Sequence, residues 1–186
     1  MCLGAQNYNN IKDKFNQLSK KEKETLLLAV YGFSKETKTF LEGWFGLKDS
    51  DKEYIEQMKR ETLYKVYMVR SRVPLEPDGQ KVNQIISHAR KAKVGFETIL
   101  RLENMAYRGF IESLNEYGGG PENFEDMAAN HMERYIKLIK LGIEDRAKQN
   151  NLLLELKNYL LDKRNMGTDY FVEVFELFSG IKIDHP

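Results

Sequence analysis

Gln80 to Glu116 reads QKVNQIISHARKAKVGFETILRLENMAYRGFIESLNE, and its apolar side chains return every three or four positions. Val82, Ile85, Ile86, Ala89 and Ala92 come first, then Phe96, Ile99, Leu100, Leu102, Met105 and Ala106. This is the 3.6-residue repeat of helices with one face turned inward, not the alternation of a strand. Gly95 and Gly109 interrupt the pattern. A glycine inside a helix costs about 1 kcal/mol relative to alanine, so each needs a reason. Gly95 predicts a break between helices near 80–93 and 96–116. Gly109 either permits close approach of a neighbouring helix or is simply tolerated.

Working towards the N-terminus, Val73-Pro74-Leu75-Glu76-Pro77-Asp78-Gly79 reads as a loop. Its prolines lack the helical donor, and Asp-Gly favours a turn. Before it, one long helix is predicted over about 51–72, capped by Asp49, Ser50 or Asp51. Ile55, Met58, Val66 and Val69 keep helical spacing there, and Leu63, Tyr64, Tyr67 and Met68 widen the apolar surface, as in a central helix. Residues 8–46 read as three short helices. Ser19 followed by Glu22 has the spacing of a capping box ahead of Leu26-Leu27-Leu28-Ala29-Val30. Ser34 caps a helix carrying Phe40, Leu41, Trp44 and Phe45, and Gly46 stops it.

Towards the C-terminus, Gly118-Gly119-Gly120-Pro121 punctuates the chain. Phe124, Met127, Ala128, Met132, Tyr135, Ile136 and Ile139 follow at helical spacing as far as Gly142. Another helix is predicted over about 144–164, with Leu152, Leu153, Leu156, Tyr159 and Leu160 inward. A last one covers about 168–178, capped by Thr168 or Asp169, with Phe171, Val174, Phe175 and Phe178 apolar. Eight or nine helices on short loops must fold back on one another. The expected fold is therefore all-α, an irregular antiparallel bundle whose second half is solenoid-like, with stacked hairpins but no fixed repeat. Residues 1–186 are expected to form a single domain, and the one division on offer separates 1–72 from 80–186 at the 73–79 loop. The recurring apolar side chains should all lie between packed helices, with charged residues as a solvated exterior.

A chain of 186 residues that is 41% hydrophobic and 31% charged can build its own core. Its one cysteine, Cys2, cannot form an internal disulfide and is read as inert. The polar start Gln6-Asn7-Tyr8-Asn9-Asn10 is not a signal peptide, and no run approaches the ~20 apolar residues of a membrane span. A cytoplasmic protein with no membrane partner is expected.

Catalytic chemistry is not assembled in the sequence. His88, His131 and His185 are the only histidines, and none lies at a spacing that shares one helix face with a second ligand. No nucleophile elbow occurs, and the glycine run lacks the frame of a phosphate loop. Glu125 and Asp126, in the first turns after it, would repel phosphate. Glu97, Glu103, Glu112, Glu116, Glu125 and Asp126 are read as solvated helix faces rather than as paired acids. No catalytic residue, metal ligand or cofactor is assigned, and the chain is read as a non-enzyme.

Charge carries the one functional signal. Residues 59–93 hold nine basic and three acidic side chains, whereas 94–133 hold two basic and eight acidic. Lys59, Arg70, Arg72, Lys81, Arg90, Lys91 and Lys93 form the candidate polyanion-binding set, with Tyr64 and Tyr67 for stacking. Lys59 and Arg70 can share a face, as can Lys81, His88 and Lys91. The competing reading is that Arg90, Lys91 and Lys93 meet the acidic helix beginning at Glu97.

Three elements occur in a recognisable order. Ile86-Ser87-His88-Ala89-Arg90-Lys91-Ala92 fits I-x-x-A-[KR]-K-A. Gly109-Phe110-Ile111-Glu112-Ser113-Leu114-Asn115-Glu116-Tyr117-Gly118 follows, and then an acidic, Met- and Tyr-bearing stretch from Glu122 to Lys140. This order resembles an uncharacterised bacterial family of small all-helical proteins, a domain of unknown function, from Lys81 onward through short motifs, and more loosely from Leu18. The resemblance implies an all-α fold and carries over no catalytic residue. The function expected is a helical interaction module that binds a protein partner or self-associates. Nucleic acid or another polyanion at 59–93 is the alternative, and an enzyme with a dispersed site is a third reading.

Overall fold

The computed structural model describes residues 3–47, 49–62, 76–117, 123–163 and 169–183. Among them are nine helices and no strand. They are α1 (Leu3–Gln17), α2 (Lys20–Tyr31), α3 (Lys35–Trp44), α4 (Asp49–Glu61), α5 (Gly79–Lys91), α6 (Phe96–Tyr117), α7 (Phe124–Gly142), α8 (Arg146–Asp162) and α9 (Asp169–Ser179). The all-α irregular bundle is the architecture that the apolar period predicts.

Helix ends follow local chemistry. The Ser19 hydroxyl accepts the amide of Glu22, whose carboxylate in turn accepts the Ser19 amide at 2.8 Å, completing the capping box. Ser34 accepts the amide of Thr37. Asp78 accepts from Gln80 and Lys81, and Asp145 from Ala147 and Lys148. Asp78-Gly79 is thus an N-cap and first helical residue, not a free turn, because the carboxylate satisfies amides that a helix start leaves orphaned. The break at Gly95 is real, but the left-handed residue there is Lys93, with φ 56°.

The enclosed helix is α6. From Ile99 to Ser113 only Arg101, Asn104 and Arg108 escape full burial. Four helices surround it. α5 and α7 run antiparallel to it, pairing Arg90 with Glu103 and setting Phe110 against Phe124. α4 runs parallel, in a register fixed by Thr98 donating to Asp51 at 2.7 Å and by Thr62 packed on Gly109. α8 is also parallel, tied by Lys148 to Glu97 and by Tyr159 to Glu112. A Cβ on Gly109 would stand 2.5 Å from Thr62 Cβ, so this glycine permits the crossing rather than being merely tolerated. α9 lies along α7 and buries Phe171, Val172 and Phe175. Lys140 donates to the carbonyls of Phe178 and Ser179 and closes the end of α9.

The expectation that every recurring apolar side chain is buried fails in the first 47 residues. The hydrophobic core begins at Tyr54. α2 buries none of its residues, and every residue from Tyr8 to Gln17 is exposed. α3 reaches the bundle, through Phe40 and through Gly43, whose missing Cβ admits Ala92, whereas α2 packs on α3. The second half of the helix predicted over 51–72, the start of the proline loop, the 118–121 glycine–proline run, Thr168, Cys2 and His185 lie outside the described residues.

Candidate functional site

The basic segment does not form one groove among the described residues. Lys59 is paired with Glu56 on its own helix at 2.5 Å, and Lys81 with Asp78 at 3.6 Å. Lys93 lies over the Trp44 ring, 4.5 Å from its centre. Arg70 and Arg72 lie outside the described residues. Lys81 and His88 line a small cleft between α3, α4 and α5, where Glu36 and Glu61 offset Arg60 and Lys81. Lys91, expected on their face, instead lines a second cleft on the other side of α5 together with Arg90. Of the three cations expected to meet the acidic helix, only Arg90 does so.

The second cleft, of about 530 Å³, lies where α5, α6 and α7 meet. Its floor holds Glu103, fully buried. Arg90 Nη2 donates to Glu103 Oε1 at 2.8 Å, and His131 Nδ1 lies 2.7 Å from Oε2. An ionised carboxylate only accepts, so the imidazole Nδ1 carries the hydrogen. The Phe110 ring stacks on His131, with an interplanar angle of 11°. Both carboxylate oxygens are thereby occupied, and the buried charge is compensated. Asn83, Ser87, Lys91 and Arg134 complete the walls. Single-helix spacing could not reveal this cluster, because Glu103 and His131 are 28 residues apart on different helices.

A second buried polar group joins α6 to α8. Tyr107 Oη accepts from Asn104 at 3.1 Å and from Arg108 at 3.2 Å. Tyr159 donates to Glu112 at 2.9 Å, and Lys163 pairs with the other oxygen of that carboxylate. The Arg108 guanidinium sits 4.5 Å from the Tyr159 ring centre. Burial pushes the phenols of Tyr107 and Tyr159 up, and the Glu112 charge adds to the effect on Tyr159. The arrangement ties α6 to α8. Among the described residues no three His, Cys, Asp or Glu side chains gather as a metal site.

The third feature is apolar. Leu27, Leu28, Tyr31, Leu41, Phe45 and Leu47 line a groove of about 260 Å³ between α2 and α3. Tyr31 donates to Glu42 at 2.7 Å, which fixes one rim and raises the phenol above its usual range. On α1, Tyr8, Ile11 and Phe15 are exposed, with Leu18 just beyond its end. Their spacing of three, four and three places them on one face. The described part of the chain holds no helix long and apolar enough to cross a membrane.

The chain matches no protein family, and no curated protein or solved structure is significantly similar to it.

Proposed function

We propose that this protein is a non-catalytic helical interaction module that self-associates through α1–α3. The observation carrying this reading is the apolar surface of the first 47 residues. Leu28 is 71% exposed, Phe33 84% and Ile11 67%, and no large apolar side chain before Tyr54 is fully buried among the described residues, whereas from Tyr54 onward most are, with Leu141 and Leu177 the most exposed exceptions. Contiguous apolar patches of this kind mark surfaces that another molecule covers. The same arm carries both halves of a helix-in-groove contact: the Tyr8-Ile11-Phe15-Leu18 stripe and the groove between α2 and α3. Two copies related by a two-fold axis would lay each stripe in the other's groove and close the assembly.

Light scattering across a concentration series tests the reading. The wild-type chain is expected to pass from monomer to dimer, and Ile11→Glu or Leu28→Glu to remain monomeric with unchanged helicity. A wild-type chain that stays monomeric up to its solubility limit would reject self-association. A dimer indifferent to both substitutions would move the interface elsewhere. The polyanion reading loses support from Lys59, Lys81 and Lys93, which already have partners within the chain.

A further inference from the structure

We propose that the cleft between α5, α6 and α7 is a binding site for a small phosphate-bearing anion, independently of the self-association reading. Arg90, Lys91 and Arg134 converge on it, and Glu103 is the one carboxylate in its lining. That carboxylate is engaged on both oxygens, by Arg90 and by His131. Lys91 and Arg134 are exposed and have no acidic partner among the described residues. Three cations over one anion leave a net local charge of about +2, which balances a phosphate monoester, about −1.5 to −2 at neutral pH, better than it does a single carboxylate.

The floor is built rather than accidental. Glu103 is fully buried and clamps one nitrogen of Arg90, whose side chain remains about half exposed, at 48%. A guanidinium has five N–H donors, so the clamp orients the remainder without exhausting them. His131 holds the opposite oxygen and is itself braced by the Phe110 ring. Asn83 and Ser87 add neutral polar groups at the wall, and Ile86 gives an apolar patch for a ligand body. A volume of about 530 Å³ lies in the range of small-molecule sites, roughly 300–1,000 Å³. Among the described residues, Lys81 and Lys93 do not continue the cleft as a track. Lys81 lies in the other cleft and Lys93 over Trp44, so a discrete ligand fits better than a polymer.

The test is calorimetric titration of the full chain with pyrophosphate and with inorganic phosphate at low salt, beside single-stranded oligothymidylates of increasing length. Saturable one-site binding of pyrophosphate is expected. Arg134→Gln and Lys91→Gln should each weaken it about tenfold or more, the loss of one charge-assisted hydrogen bond. Lys81→Gln, in the other cleft, should leave it unchanged. Both cleft positions are exposed, so the variants should keep the wild-type melting temperature. Asn83→Asp adds a repelling charge without removing a cation and should also abolish binding. Absence of pyrophosphate binding, or binding that survives all three cleft substitutions, overturns the proposal. Oligonucleotide affinity that rises with length while pyrophosphate does not compete also overturns it, in favour of a polymer.

Discussion

At the scale of single residues, burial decides which substitutions matter. Glu103 has no exposed surface, and its two partners come from different helices. Glu103→Ala leaves the buried imidazole of His131 without its partner, a cost of about 1–3 kcal/mol, while the half-exposed Arg90 can turn to water. Urea unfolding should show that loss, with Glu103→Gln falling between it and wild type; a change within 0.5 kcal/mol, about that of an ordinary surface substitution, would contradict the assignment. The glycines make a sharper contrast. A Cβ at Gly109 meets Thr62 down to its Cα, at 3.2 Å, whereas one at Gly79 clashes with the thioether end of Met127 and meets Phe110 Cζ at an ordinary 3.7 Å. Gly109→Ala should therefore destabilise by about 1–3 kcal/mol and Gly79→Ala by much less, because backbone cannot yield as a flexible tip can. Its place inside an apolar period left close approach or simple tolerance for Gly109, so its role was partly legible. The Glu103–His131 pair was not, since no helical spacing links two residues that only the α6–α7 hairpin brings together.

At the scale of helices, the sequence announced starts better than surroundings. Ser19 and Ser34 act as the caps their spacing predicts. Asp78 and Asp145 were obscured because an aspartate before a helix also suits a turn. The all-round apolar surface of the helix expected over 51–72 rests on its second half, outside the described residues, and the described half buries one side, through Tyr54, Ile55, Met58 and Thr62. Among the described helices α6 is the enclosed one, and its enclosure depends on which helices pack around it, which composition cannot state. The exposure of α2 leads to a prediction. Ser19→Ala removes a cap of about 0.5–2 kcal/mol, but α2 buries nothing. Amide exchange should quicken within Lys20–Tyr31 while the global melting temperature stays put. A fall of several degrees in the melting temperature would show that α2 is coupled to the core.

At the scale of the whole molecule, three buried tyrosines and the partly buried Tyr159 predict a loss of stability at alkaline pH. Burial raises Tyr107, Tyr135 and Tyr159, and pushes Tyr54 up to about 12. Below the ordinary tyrosine value of about 10, folded and unfolded chains both hold these protons, and stability is indifferent to them. As pH rises from about 10 towards 12, the unfolded chain releases protons that the folded one keeps, so stability must fall. Denaturant midpoints that stay level across that window would contradict the burial of these phenols. The larger asymmetry is between a bundle closed around α6 and an arm whose apolar side chains face water. The apolar period that foretold the bundle was the same in both parts. It cannot distinguish a face covered by the chain itself from one left for another molecule. Hydrogen exchange measured at several protein concentrations addresses this most directly. Protection of α1–α3 amides should rise with concentration while that of α4–α9 stays constant, and exchange in α1–α3 that ignores concentration would contradict the account.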